Sequence, residues 1–207
     1  DRVSKRIVKK LSEEERKQIV DAAKKNIVFA EFSLKIFEDL VLKNSDYLCL
    51  ITSDIYLHRT YSMGLVDSKN QLNFYDGKVR VVDPEGKEFL LYKPQDYHKH
   101  IAEHVEPWTY LKFPYLKGVG WKGFVDGKDS GVYAATPLTR LNVSDDMPSP
   151  KAREHFIKLY ETLGSRKVNG RYQPVHHRLV THWARLVELL YAAEHMLELA
   201  EDPDITS

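Results

Sequence analysis

The stretch that decides the fold is Glu106–Arg140, which reads EPWTYLKFPYLKGVGWKGFVDGKDSGVYAATPLTR. It places seven aromatic side chains among glycines and prolines: Trp108, Tyr110, Phe113, Tyr115, Trp121, Phe124 and Tyr133. Glycine allows close backbone approach, and aromatic rings contribute large apolar surfaces. We therefore predict an irregular segment that is buried between layers and laid against long helices on either side.

Two long helical patterns flank this segment. The first covers residues 12–44 and opens with Ser12-Glu13-Glu14-Glu15, a capping box in which Ser12 and Glu15 satisfy each other's backbone amides. The second covers residues 174–201 and carries one apolar stripe. We expect the two helices to pack together. Residues 45–61 suit a short buried helix between the first long helix and the strands.

After Gly64 the apolar period changes from helical spacing to two, which predicts strands. The predicted strands are residues 63–67, 71–75, 78–82 and 87–92. Asp76-Gly77 predicts a two-residue type I′ hairpin, and Asp83–Gly86 predicts a second turn.

Shorter elements are predicted further along the chain. Asp96 should cap a helix that runs through Val105, and Gly131–Val143 reads as an edge or bulged strand because Pro137 interrupts it. Ser149-Pro150 should begin a helix that ends at Leu163-Gly164, followed by a polar loop over residues 165–173.

This order of elements predicts an α+β fold, a long-helix bundle with a small antiparallel β-meander and an irregular aromatic-rich segment. We interpret residues 1–207 as one central fragment of a larger subunit, opening with an extended basic lead-in over residues 1–10. Its predicted parts are helical residues 12–61 and 150–201, a β-meander at 62–92, and a short helix plus irregular or β structure at 93–149.

Composition excludes several classes of function. The 31 basic and 30 acidic residues balance, which gives no electrostatic reason to expect nucleic acid as a partner. No apolar run reaches the roughly 18 residues that a membrane span requires. The single cysteine, Cys49, excludes a disulfide or a multi-cysteine metal cluster within this chain, and we expect it to be a small buried hydrophobe.

One motif resembles a zinc site. His100-Ile101-Ala102-Glu103-His104 fits the H-x-x-E-H string of inverted zinc peptidases. On a helix, His100 and His104 would lie one turn apart, as two zinc ligands require, and Glu103 would be the general base. The alternative is a solvated or half-buried helix face that binds no metal.

The remaining motifs carry no convincing chemistry. Gly118–Gly123 fits G-x-G-x-x-G but lacks the following helix that a dinucleotide site needs. His176, His177 and His182 are not spaced to converge on one helix face, and His195 stands alone. We therefore assign no catalytic, cofactor-binding or metal-binding residue in this chain.

Several longer runs nevertheless resemble a known family. They are Leu72–Asp83, His100–Lys112, Gly118–Gly123, Pro137–Arg140 and His182–Leu186. Together they resemble the middle of a nickel–iron hydrogenase large subunit, most closely the multisubunit branch that reduces NAD or another soluble acceptor. Thr136 and Thr139 depart from that family's G-P-L-A-R element. The family's four cysteine ligands lie in an R-x-C-G-x-C motif and a D-P-C-x-x-C motif. They have no counterpart here, because Cys49 matches neither motif.

The resemblance implies a central segment of the catalytic subunit of an enzyme that oxidises dihydrogen reversibly. It implies a nickel–iron centre in the parent enzyme, none bound to this fragment, and a fragment that is inactive alone. It also implies that the partners are an iron–sulfur small subunit with further electron-transfer subunits, and that the location is cytoplasmic. The alternatives are a non-catalytic scaffold paralogue, a related respiratory-complex subunit or, as a minor one, the zinc peptidase at His100 and His104.

Overall fold

The computed structural model describes residues 11–206 and confirms the α+β fold. The predicted lead-in over residues 1–10 lies outside the described residues. The α-helices are α1 (Glu13–Phe37), α2 (Ser45–Ile51), α3 (Tyr97–His100), α4 (Pro137–Val143), α5 (Pro150–Thr162) and α6 (Thr181–Glu201). The strands are β1 (Tyr61–Val66), β2 (Lys78–Val82), β3 (Glu88–Tyr92), β4 (Ile101–Val105), β5 (Lys112–Leu116), β6 (Tyr133–Ala134), β7 (Lys167–Val168) and β8 (Arg171–Tyr172).

Helix α1 begins with the predicted capping box. The Ser12 hydroxyl accepts from the Glu15 amide at 3.2 Å, and the Ser12 amide donates to the Glu15 carboxylate at 3.0 Å. The helix then passes into a π-helical turn at Glu38–Leu42, so helical backbone ends close to the predicted Asn44. Asn44 caps α2, but α2 is largely exposed and buries only Ile51, so the expectation of a buried helix is wrong.

The long helices α1 and α6 pack together, as predicted, and the structure shows that they run antiparallel. Arg16 at the start of α1 donates to the carbonyl of Ala200 at 2.8 Å, and Phe37 at its end lies 5.9 Å from the Trp183 ring. Helix α6 begins at Thr181 and not at Pro174. Residues 173–177 are not helical, because His177 forms a β-bridge with Leu57 and the Asn142 side chain bonds both backbone groups of Val175. Arg178–Val180 then form one 3-10 turn before α6.

The main sheet has the strand order β3-β2-β1-β6, antiparallel except for the β1–β6 pair. The predicted hairpin at Asp76-Gly77 is wrong, because β1 joins β2 through the longer connection 67–77 and residues 71–75 form no strand. Asp67 organises that connection by accepting from the amides of Lys69 and Gln71, each at 2.8 Å. The turn at Asp83–Gly86 is confirmed, since the Asp83 carboxylate accepts from the amides of Glu85 and Lys87.

Two segments take the opposite structure from the predicted one. The helix expected through Val105 ends at His100, and Ile101–Val105 becomes β4 because it pairs in register with β5. The strand expected over Gly131–Val143 is only Tyr133–Ala134, and Pro137 begins helix α4. Thr136 and Thr139 form a capping box there, and proline is tolerated at a first helical position, where its missing amide is not needed.

The end of the chain holds one confirmed helix and one unexpected hairpin. Helix α5 has Pro150 at its first position and ends before Leu163, as predicted. The expected loop over residues 165–173 contains β7 and β8, joined by Asn169 and Gly170. Both residues have positive φ, 51° and 82°, which is the signature of a type I′ turn.

Helix α4 lies at the centre of the molecule. Arg140 forms two 2.6 Å hydrogen bonds with the carboxylate of Glu188 on α6, which is buried. The buried Asn142 accepts from the Tyr160 hydroxyl at 2.9 Å and bonds the backbone of Val175. Asn142 also donates to the Ser62 hydroxyl of β1 at 3.3 Å, so these polar contacts fix the main sheet, α5 and α6 around one short helix. Within residues 11–206, no helix combines the length and apolar character needed to cross a membrane.

Candidate functional site

The aromatic segment forms a half-buried cluster on the β4–β5 hairpin and not a buried layer. Trp121 stacks on His104 at 4.7 Å and on Phe113 at 5.7 Å, and Phe124 meets Phe113 and Trp121 edge-on. We call His104, Phe113, Trp121 and Phe124 the aromatic cluster. Such ring pairs stabilise by about 0.5–1.5 kcal/mol each beyond their buried area. The cluster therefore holds the β4–β5 hairpin together from within.

The prediction that this segment lies buried against the long helices is wrong for its aromatic part, whereas its end, Pro137–Arg140 in α4, does pack against α6. Trp108 is 69% exposed and Tyr110 is 94% exposed at the turn between β4 and β5. The segment reaches the main sheet at Leu116, which is fully buried. Gly131 allows the close approach there, because a Cβ atom at this position would lie 2.7 Å from the Leu116 carbonyl oxygen.

The geometry that the zinc alternative requires does not form. His100 ends α3 and its ring lies 4.4 Å from that of Tyr92, whereas His104 belongs to β4 and stacks on Trp121. The Nε2 atom of His104 lies 2.9 Å from a carboxylate oxygen of Glu106. In the part of the chain that the structure describes, no three histidine, cysteine or acidic side chains are placed to hold a metal ion.

Gly118–Gly123 also lacks the setting of a dinucleotide site. The motif follows β5, but a glycine-rich turn and not a helix comes after it. Gly120 and Gly123 have φ of 90° and 83°, so these glycines serve the reversal of the chain. The backbone amides at this motif are therefore not presented by a helix N-terminus, where a pyrophosphate would bind.

A groove of about 880 Å³ brings together polar residues that are distant in sequence. His176 and His177 line it with Arg59, whereas His182 on α6 is exposed. Beside the groove, the Nε2 atom of His58 lies 2.8 Å from Asp126, and its Nδ1 atom contacts Arg178.

Burial dominates the electrostatics of these histidines. Desolvation lowers the pKa of His58, and the nearby Arg178 lowers it further, while Asp126 opposes them. Desolvation also lowers the pKa of His176, whose Nε2 atom donates to the Pro84 carbonyl at 2.8 Å in the tautomer that carries its proton there. The groove therefore favours neutral imidazoles. It was missed at the sequence level because residues 58–59, 126 and 176–178 meet only in the folded chain.

Comparisons with known proteins connect the chain to hydrogenases. It is 45% identical over 199 residues to the iron-sulfur subunit of the F420-non-reducing hydrogenase of Archaeoglobus profundus, a match over 96% of this chain and 39% of that protein. It is 35% identical over 144 residues to the beta subunit of the NAD-reducing hydrogenase HoxS of Cupriavidus necator, over 70% of this chain and 27% of that one. No family model matches the sequence.

The fold is also similar to a solved structure. The crystal structure of an NAD+-reducing nickel–iron hydrogenase in the H2-reduced state matches with a TM-score of 0.77 and 29% identity. The match covers 95% of this chain and 40% of that chain. This chain thus spans well under half the length of each of these proteins.

The comparisons correct the finer part of the resemblance. The archaeal relative is named an iron-sulfur subunit, which contradicts the identification as the large, catalytic nickel–iron subunit. The same finding contradicts the expectation of a nickel–iron centre as the cofactor of the parent enzyme. The expectation that this chain is the catalytic one and that its partner is the iron–sulfur subunit is wrong for the same reason. The physical reason is that residues such as Asp83 and Trp121 form turns and packing contacts, which do not distinguish one type of subunit from another.

The broader resemblance is confirmed. The comparisons do not favour the scaffold paralogue or the respiratory-complex subunit. Over nearly its whole length, this chain is similar to a segment of hydrogenase subunits, which are oxidoreductases.

Proposed function

We propose that this chain is a central segment of one subunit of a hydrogenase, where it forms part of the framework of an electron-transferring complex. One observation carries the proposal, the 45% identity with a hydrogenase subunit over 96% of this chain. The likeness of fold to a solved hydrogenase chain supports it. The partners would be other hydrogenase subunits, and a cytoplasmic location belongs to the same proposal.

The segment itself does not fit an iron–sulfur cluster. Such clusters are held by cysteine thiolates, usually four. This chain has one cysteine, and Cys49 is exposed on α2. If the longer polypeptide carries clusters, as the name of its archaeal relative says of that protein, their ligands come from other residues. The described residues therefore supply packing, buried ion pairs and exposed surfaces.

The proposal is tested by purifying the full native polypeptide that contains this chain through an affinity tag. We expect other hydrogenase subunits to copurify in fixed stoichiometry, and the complex to reduce a viologen dye in the presence of H2. A polypeptide that purifies without hydrogenase subunits, or a complex without H2-dependent dye reduction, would contradict the proposal.

A pair of variants shows whether this segment is needed for assembly. Arg140→Ala removes one partner of the ion pair with the buried Glu188, so we expect a lower yield of assembled complex. Lys43→Ala removes an ion pair with Asp39 in which both side chains are exposed, so it is the matched control and should leave the yield unchanged.

A further inference from the structure

Helix α1 carries a second apolar face that nothing in residues 11–206 covers. The side chains of Val28, Phe29 and Phe32 are 66%, 61% and 57% exposed, and Leu40 in the following π-helical turn is 62% exposed. Ile36 lies between them and is also exposed. We call these five residues the outer stripe of α1. At 100° per residue, its four α-helical members fall within an arc of about 100°.

The outer stripe lies opposite the face that α1 already buries. Ala23, Ile27, Ala30 and Leu34 are buried residues of α1, and Ile27, Ala30 and Leu34 belong to the same core as α6. Their mean direction differs from that of the stripe by about 170° around the helix. A helix that is apolar on opposite sides is normally buried on both. The C-terminal half of α1 therefore presents, on its outer side, a surface suited to a second packing partner.

The size of the stripe favours an intramolecular occupant. Residues 28–40 rise about 18 Å along the helix axis, and a helix is about 10 Å wide, so the face covers roughly 200 Å². A stable interface between separate proteins buries about 800 Å² on each partner. Two copies meeting through this stripe alone would fall well short of that area. A segment of the same polypeptide needs less contact, because it does not lose the translational freedom that association costs.

The relatives leave room for such a segment. The matches cover nearly all of this chain but only 39% of the archaeal relative and 40% of the solved hydrogenase chain. We propose that an amphipathic helix from the part of the longer polypeptide outside this chain packs on the outer stripe of α1. The two phenylalanines are its central contacts, because large aromatic side chains dominate the energetics of such contacts. This inference rests on the proposed function, since that function supplies the longer polypeptide.

Site-specific photo-cross-linking tests the occupant. A benzophenone amino acid replaces Phe32 in the full native polypeptide, and the cross-linked peptides are identified by mass spectrometry. The matched control carries the same probe at Tyr75, an exposed aromatic residue outside the stripe. We expect the probe at position 32 to capture a segment of the same polypeptide outside this chain, and the control not to capture that segment.

Other captures would overturn the proposal. A cross-link from position 32 to a second copy or to a different subunit would do so. The absence of any cross-link from position 32 in a folded polypeptide would also overturn it. A second measurement uses the charged double variant Phe29→Asp with Phe32→Asp. It should make the captured segment at least tenfold more sensitive to limited proteolysis, whereas Tyr75→Asp with Tyr110→Asp, at two exposed aromatic residues outside the stripe, should not. Equal sensitivity of the two double variants would also overturn the proposal.

The two proposals fail in different ways. The cross-link is located within one polypeptide and does not depend on which subunits copurify. A polypeptide that captures its own segment at position 32 but binds no hydrogenase subunit would refute the proposed function alone. A hydrogenase complex in which position 32 captures another subunit would refute the docking inference alone.

Discussion

At the scale of single residues, the ion pair between Arg140 and Glu188 is the most consequential contact. The Nε and Nη2 atoms of Arg140 each lie 2.6 Å from a different carboxylate oxygen of Glu188, so the pair is bidentate. Glu188 is buried on α6, and its charge has no alternative solvation. Removing one partner of such a pair costs far more than the pair contributes, because it leaves an uncompensated buried charge.

We therefore predict that Arg140→Ala lowers the free energy of unfolding by about 3 kcal/mol. Lys43→Ala, at the exposed pair with Asp39, should change it by less than about 0.5 kcal/mol. Urea denaturation followed by tryptophan fluorescence measures both. Equal losses for the two variants would show that burial of Glu188 does not govern the cost.

Cys49 yields a prediction of no effect. It is exposed, contrary to the expectation from sequence, because α2 turns only Ile51 into the core. We predict that Cys49→Ser leaves the iron content of the purified complex unchanged and shifts the free energy of unfolding by less than about 0.5 kcal/mol. Elemental analysis and urea denaturation test this. Loss of iron from the variant would mean that Cys49 is a cluster ligand.

At the scale of elements, the β7–β8 hairpin depends on its turn residues. Asn169 and Gly170 both adopt positive φ, and residues with a Cβ atom are strained there. We predict that Gly170→Ala lowers the free energy of unfolding by about 1 kcal/mol. Gly118→Ala is the control, since Gly118 is not among the positive-φ glycines and an added Cβ would make ordinary contact with Phe89 at 3.5 Å. The prediction is refuted if thermal unfolding shows the same loss for both.

The junction between the main sheet and α6 should be sensitive to pH. Unfolded histidine has a pKa near 6.5, and burial lowers the pKa of both His58 and His176 in the folded chain. Below pH 6.5 the unfolded chain therefore binds more protons, so the free energy of unfolding should fall as the pH drops from 6.5 toward the folded pKa values.

His176→Gln should reduce this pH dependence, and His182→Gln, at an exposed residue of α6, should not. Denaturation midpoints in urea at pH 7.5, 6.5 and 5.5 provide the measurement. If the denaturation midpoint changes with pH to the same extent in the His176→Gln variant, His176 is not the source of the pH dependence.

At the scale of the whole molecule, antiparallel packing of α1 on α6 unites distant parts of the chain. Trp183 sits in the main core, only 2% exposed, and contacts Phe37 at the far end of α1. By contrast, Trp108 lies on the projecting β4–β5 hairpin and is mostly exposed. The same residue type thus occupies two very different environments.

We predict that Trp183→Ala lowers the free energy of unfolding by about 3–5 kcal/mol, because it opens a cavity in the core. Trp108→Ala should cost less than about 1 kcal/mol, since it loses little more than a ring contact with Phe113. Circular dichroism during urea denaturation distinguishes the two. Similar losses would indicate that the hairpin carries as much of the stability as the helix pair.

Much of the fold was predictable where its determinants lie within a few residues of each other. The capping box at Ser12, the turn at Asp83–Gly86 and the start of α5 at Pro150 were all read correctly from the sequence. The type I′ turn was placed at Asp76-Gly77, although Asn169-Gly170 carried the same signal at the right position. The broad resemblance to hydrogenases was also present in the sequence.

The tertiary structure alone decided the rest, because the deciding partners are far apart in the chain. Ile101–Val105 is a strand since β5 pairs with it, and α4 is buried since its Leu138 and Leu141 share a core with α6. The groove lined by Arg59, His176 and His177 exists only once these distant parts of the chain meet. The aromatic cluster stays only half-buried because its rings stack on one another and not on a helix. Local hydrogen bonding and side-chain periodicity are encoded in neighbouring residues, whereas burial is a property of the assembled molecule.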